Sequence, residues 1–149
     1  WCKERSGRWV CCREYYYSGR DEERQKTDSE YADDLEQWLA GIKPVKIIID
    51  PSAASFIAEL KKRGYAIKKA KNDVLDGIRF VASLLNQGKI AISDQCPNTI
   101  KEFGSYIWDQ KASEHGEDKP VKQHDHAMDA LRYFCYTIIR KPGSIGILK

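Results

Sequence analysis

Two sets of acids are the residues best placed to do chemistry. Asp50 closes the run VKIIID and is followed at once by Pro51. A carboxylate held at the end of a buried strand can bind a metal through oxygen, because ligands of open α/β sheets gather beyond the carboxyl ends of the strands. The same residue can instead cap a following helix that has Pro51 in its first turn. The second set is Asp125, His126 and Asp129 within DHAMD. Spacings of three (His126 to Asp129) and four (Asp125 to Asp129) put these side chains on neighbouring positions of a helix surface. Here too a plainer account is open: Asp125 as an acid favoured by the helix dipole and His126 as a solvated residue at a helix start. Carboxylates from a strand end and a helix face, brought to one point, bind Mg²⁺ or Mn²⁺, ions whose remaining ligands come from phosphate and water.

The chain has 149 residues, 42% hydrophobic and 32% charged. That is a folded composition, and the expectation is one domain over 1–149. No apolar run reaches the ~18 residues of a membrane span, so no membrane role is expected. The sequence opens at Trp1 with no basic leader and apolar stretch behind it, which reads as a fragment of a longer protein. Five cysteines, an odd number without a C-x-x-C pair, fit buried reduced thiols of a cytosolic protein. Cys96 with His115, His124 or His126 lacks the paired spacing of a zinc module. Net charge is only +3 but unevenly spread. Residues 21–36 hold eight acids against Arg24 and Lys26, whereas Lys61, Lys62, Arg63, Lys68, Lys69 and Lys71 fall within eleven residues without an acid. Such a basic cluster can meet phosphates, or can simply be a solvated helix end and strand edge.

The elements that must position these groups alternate. Residues 8–17 read as a strand, with 1–3 the tail of another and a turn at Ser6-Gly7. Thr27-x-x-Glu30 is a capping box opening a helix with Tyr31, Leu35, Trp38, Leu39 and Ile42 on one face, ended by Gly41. Val45 to Asp50 reads as a strand buried on both faces, and 52–63 as a helix with Phe56, Ile57 and Leu60 inward, ended by Gly64. A strand follows at 65–70. Asn72 or Asp73 caps a helix whose stripe is Leu75, Ile78, Val81, Ala82 and Leu85, closed by Gly88, and Lys89 to Ser93 alternates as a strand. Asn98 caps a helix bearing Ile100, Phe103, Tyr106 and Ile107; 111–122 is a loop; 124–140 is the last helix, burying Ala127, Ala130, Leu131, Phe134, Cys135 and Ile138, with a loose tail from Pro142. Short strands separated by helices give an α/β class with a mixed, largely parallel sheet flanked by helices.

Taken together, IIIDPS, KNDVLDGIRFVASLLNQGKIAI, EFGSYIWD and DHAMDALRY resemble the carboxy-terminal nuclease domain of the large terminase subunit of tailed bacteriophages, from about Arg8 to Tyr136. The most specific element is H-x-x-D-A-L-R-Y at His126 to Tyr133. The resemblance implies a ribonuclease H-like fold and endonucleolytic cutting of concatemeric double-stranded DNA during genome packaging, in the bacterial cytoplasm, with two Mg²⁺ or Mn²⁺ ions. It implies Asp50 as the second-strand acid, Asp129 as the helix acid and His126 as a metal ligand or proton-handling group, with Asp125 in a lesser place. Such sites act by in-line displacement at phosphorus, without a covalent enzyme intermediate. The family's first acid lies on an opening strand that here would precede Trp1. The sheet is therefore expected to lack its first strand, and the fragment to bind metal weakly and cut poorly although its parent cuts. DNA contact is expected to be mainly electrostatic, through Lys61, Lys62, Arg63, Lys68, Lys69, Lys71 and Lys122. A terminase small subunit and portal are the implied partners. An ATPase motor belongs to such parents, and no G-x-x-x-x-G-K-[ST] occurs in these 149 residues. Two other readings stay open: a junction-resolvase or transposase-like nuclease, and a non-catalytic docking module of the packaging motor.

Overall fold

The structure, a computed structural model, describes residues 1–19, 22–107, 114, 120–121 and 125–140. Lys122, His115, His124, most of the loop read over 111–122 and the tail from Pro142 lie outside these residues. Contacts divide the chain into two compact units, one of residues 15–70 and one of residues 1–14 and 71–149.

The 15–70 unit runs α1 (Asp28–Leu39), β3 (Ile47–Ile49), α2 (Ala54–Lys62), β4 (Ile67–Lys69). Its core is Ala32, Ile49, Ile57 and Leu60, with Leu35, Phe56 and Ile67 packed against them. The capping box forms as read: the Thr27 side chain accepts from the Glu30 N–H while Glu30 accepts from the Thr27 N–H. Strands β3 and β4 are parallel, Ile47 opposite Ile67 and Ile49 opposite Lys69. The strand read over 45–50 is shorter than its apolar run: Val45 is 90% exposed, because no partner strand reaches it.

In the other unit β1 (Cys2–Lys3) and β2 (Trp9–Cys11) form a hairpin, and β5 (Ile90–Ile92) lies parallel to β2. This three-stranded sheet is mixed, as expected. Gly7 sits in the hairpin turn at φ +90°, open to glycine at no steric cost. Helices α3 (Val74–Asn86), α4 (Pro97–Ser105) and α5 (His126–Phe134) complete the unit, with a π-helical turn over Cys135–Ile139. Phe134 anchors its core, stacked on Trp1 at 4.4 Å between ring centroids and edge-on to Trp9 at 5.2 Å.

Several sequence expectations need correction here. Residues 12–17 are not strand, since β2 ends at Cys11 with the edge of β5. The inward face of α3 is Gly77, Val81 and Leu84 rather than Ala82 and Leu85, which are exposed. The apolar residues read for the helix at Asn98 face outward: Ile100 and Phe103 of α4, and Ile107 beyond its end, are exposed, while Thr99 and Glu102 are buried. On α5, Ala130 is exposed and Arg132 is buried. The helix read to 140 changes at Cys135 to a wider turn, whose Thr137 hydroxyl accepts from the Lys71 N–H at 2.9 Å. Cys2 is exposed rather than buried, whereas burial pushes the Cys11 and Cys135 thiols each up to about 12, which leaves them un-ionised at neutral pH.

Candidate functional site

The two acids lie in different units and are held in different ways. Asp50 follows directly on β3, behind the buried Ile49. Its Oδ1 accepts from the Ser52 N–H at 2.7 Å and from the Ser52 hydroxyl at 2.6 Å, and its carbonyl accepts from the Ala53 N–H at 3.1 Å. This is an Asx turn, a device built from residues two apart. The helix-cap reading of Asp50 is thereby corrected, because the N-cap of α2 is Ala53 and no side chain caps it. The turn keeps the carboxylate half-buried at the point where the chain leaves the strand.

Asp129 stands in the first turn of α5 with a side chain 27% exposed. Its Oδ1 accepts from Nη2 of Arg132 at 2.7 Å, one turn along the same helix. The Arg132 side chain is only 5% exposed, and its Nη1 donates to the carbonyls of Asn72 at 2.9 Å and Asp73 at 3.2 Å, just ahead of α3. Burial works against the charge on this guanidinium, and the Asp129 carboxylate more than offsets it. Gly77 makes room for the arginine stem: a Cβ there would lie 2.7 Å from Cγ and 2.8 Å from Cδ of Arg132. Neither Asn72 nor Asp73 caps α3 through its side chain. Their backbone carbonyls hold the arginine instead.

The start of α5 is fixed from another helix. Glu102, buried on α4, accepts at Oε2 from the N–H groups of Ala127 at 2.8 Å and Met128 at 3.0 Å. It does for α5 what Asp125 does not, for Asp125 occupies the N-cap without a side-chain bond. Glu14 caps α4 in turn, accepting from the N–H groups of Asn98 at 2.7 Å and Thr99 at 2.9 Å. Asn98 is thus a donor inside α4 rather than its cap; Cys96 is the N-cap and Pro97 the first helical residue. His126, the first residue of α5, is exposed. Tyr106, at the end of α4, has its phenol pushed up by burial and by the negative charge of Asp129 and Asp125.

Asp50 and Asp129 each offer a hard carboxylate of the kind that binds Mg²⁺ or Mn²⁺ together with water and phosphate, and His126 adds an imidazole on the same helix as Asp129. Asp129 has its second oxygen, Oδ2, without a hydrogen bond among the described residues. No cluster of three or more His, Cys, Asp and Glu able to hold an ion occurs among the described residues. Cys96 is turned to Cys11, donating to its carbonyl at 3.4 Å.

Lys61, Lys62, Lys68, Lys69 and Lys71 are all exposed. Arg63, grouped with them on sequence, is committed elsewhere: it pairs with Glu59 at 2.8 Å, Asp33 at 2.6 Å and Glu36 at 3.1 Å, and donates to Ser29, tying α2 to α1. Sequence reasoning finds Asp50, His126 and Asp129 but passes over Glu102, Glu14 and Gly77, and it gives Arg132 no role although the H-x-x-D-A-L-R-Y pattern contains it. The signal for Glu102 is an acid in the middle of a helix otherwise lined with Ile100 and Phe103.

The terminase RNase H-like domain family matches residues 13–136. The large terminase of a thermophilic bacteriophage, solved with ADP, is 54% identical with a TM-score of 0.87, over 91% of this chain and 34% of that one. The same protein solved with ATP-γ-S is 53% identical with a TM-score of 0.87, over 90% of this chain and 34% of that one. The large terminase subunit of Escherichia phage T5 is 32% identical over 85% of this chain and 30% of its own length. The chain spans about a third of the length of these relatives. With most of its length matched, it belongs to the terminase RNase H-like domain family.

Proposed function

We propose that residues 1–149 form a single nuclease domain of a phage DNA-packaging terminase, a metal-dependent endonuclease that cuts concatemeric double-stranded DNA. Asp50 and Asp129 are its metal ligands, and His126 a further ligand or a group that handles a proton beside them. The observation that carries this reading is Asp129 itself: a half-buried carboxylate, oriented by a buried arginine, on the helix of the family's most specific pattern. The resemblance to phage large terminases favours it over a junction resolvase or transposase.

Each residue has a task within reach of its surroundings. The Asx turn at Ser52 holds Asp50 to one rotamer, and Arg132 does the same for Asp129 while leaving Oδ2 for an ion. Two Mg²⁺ or Mn²⁺ ions, when bound, supply an activated water and charge neutralisation at phosphorus. His126 is exposed at the helix start, three residues from Asp129 on the same helix. Lys61, Lys62, Lys68, Lys69, Lys71 and Lys122 meet phosphates, and neutralising any one of them lowers the slope of log K against log salt by about 1. The partners are double-stranded DNA, a small terminase subunit and a portal. The place of action is the bacterial cytoplasm; no helix among the described residues is long and apolar enough to cross a membrane.

The test is cleavage of supercoiled plasmid with Mn²⁺ by the longest form of the protein that carries this chain. Cleavage reduced to background in Asp50→Ala and in Asp129→Ala supports the reading. Cleavage that persists in both overturns it and leaves the docking module as the better account.

A further inference from the structure

Arg132 is a buried cation, and in the nuclease chemistry above it touches neither metal nor substrate, only Asp129. It is also placed with unusual care. Three interactions fix its guanidinium: Nη2 on Asp129 Oδ1 at 2.7 Å, and Nη1 on the carbonyls of Asn72 at 2.9 Å and Asp73 at 3.2 Å. Its plane also lies over the Tyr133 ring, 4.8 Å from the centroid. Nε is buried without a hydrogen-bond partner. A buried guanidinium with an unsatisfied N–H is costly, and its burial adds nothing that a leucine at this inward position would not supply. Two carbonyls and a carboxylate match the fork geometry of an arginine, which a lysine cannot reproduce. The channel for its stem exists only because position 77 has no Cβ.

We propose that Arg132 is a positioning residue for Asp129, and that Gly77 is its seat. This rests on Asp129 being a metal ligand. The arginine takes Oδ1 and holds the carboxylate to one rotamer, so that Oδ2 is presented without the entropy of searching for it. Because the guanidinium is anchored on the backbone ahead of α3 rather than on α5 alone, the acid is referenced to a second element. Shifts in α5 are then resisted at the acid itself. Partners that orient a metal-binding side chain in this manner are each worth about 10- to 100-fold in metal affinity or activity.

The experiment is solution NMR on the full chain, reading the couplings that report χ1 of Asp129 and the guanidinium Nη–H signals of Arg132, with Mn²⁺ affinity in parallel. In the wild-type chain a single Asp129 rotamer and separately resolved, slowly exchanging Arg132 Nη–H signals are expected. Averaged Nη–H signals there already overturn the proposal. In Arg132→Met and in Gly77→Ala the Asp129 couplings average over rotamers. Arg132→Lys keeps the charge but lowers Mn²⁺ affinity by about 10- to 100-fold. Gly77→Ala carries the test if Arg132→Met does not fold, since it keeps the arginine and displaces only its stem. An Asp129 rotamer unchanged in the folded variants overturns the proposal while leaving the nuclease reading intact. Cleavage that survives both Asp50→Ala and Asp129→Ala overturns the nuclease reading and leaves the orientation of Asp129 by Arg132 standing.

Discussion

The two units hold their acids by opposite means. In residues 15–70 the packing is apolar, around Ile49, Ile57 and Leu60, and the polar contacts lie at the surface: the capping box, and Arg63 bridging Asp33, Glu36 and Glu59. Asp50 is fixed there by Ser52, two residues away. In the other unit Thr99, Glu102, Arg132 and Thr137 are buried, and each joins segments far apart in sequence. Asp129 depends on Arg132, which depends on Asn72, Asp73 and Gly77; the helix bearing both depends on Glu102. Local chemistry positions one acid, and buried long-range polar contacts position the other. Substitutions far from Asp129 therefore reach it, whereas the Ser52 contacts of Asp50 are local.

The largest expected effect is on Glu102. Glu102→Ala removes the acceptor of two buried N–H groups and is expected to destabilise the chain by about 3 kcal/mol, since each buried donor left unsatisfied costs ~1–3 kcal/mol. Urea denaturation with near-ultraviolet circular dichroism measures it. Leu60→Ala is the matched cut in the apolar unit, also about 3 kcal/mol by transfer and cavity terms. The comparison predicts that Glu102→Ala alone disturbs the amide signals of His126 to Arg132. Equal disturbance of these signals by Leu60→Ala would break it.

Asp129→Ala ranks next. It leaves Arg132 buried with only its two carbonyl partners, at a cost of about 2 kcal/mol, so loss of cleavage and some loss of stability arrive together. Asp129→Asn keeps an oxygen for Arg132 and separates the two, losing cleavage with a smaller change in melting temperature. Thr27→Ala then costs about 1 kcal/mol, read by thermal melting, through loss of the capping box.

The smallest effect is a pH dependence. Burial raises the affinity of Glu14 for a proton, but the N–H groups of Asn98 and Thr99 outweigh it and hold the carboxyl below its ordinary value of 4.5. A depressed folded value means stability that is present above about pH 4.5 and lost as pH falls through the folded value. Glu14→Gln is expected to flatten that part of the acid-stability curve. An unchanged slope below pH 4.5 would show that Glu14 does not govern the start of α4.

What can be read from sequence follows the same division. The Thr27 box, the turns at Gly7 and Gly64, and the order of strands and helices are local patterns, and they appear as read. The face of α4 does not follow hydrophobic spacing, and that of α5 follows it in part: Leu131 and Phe134, with Cys135 just beyond, are buried as read, but so is Arg132. Glu102 and Arg132 occupy inward positions because each satisfies backbone groups of another element, so Ile100, Phe103 and Ala130 turn outward. Asp50, His126 and Asp129 are legible because spacing and resemblance point to them. Their supports are not, since a partner sixty residues away leaves no local trace, as between Arg132 and Asn72.

The most direct test of the central claim is an anomalous difference map at the manganese edge from crystals of the protein grown with Mn²⁺. The account predicts a peak ligated by carboxylate oxygens of both Asp50 and Asp129. Manganese bound elsewhere, with neither aspartate among its ligands, would contradict it.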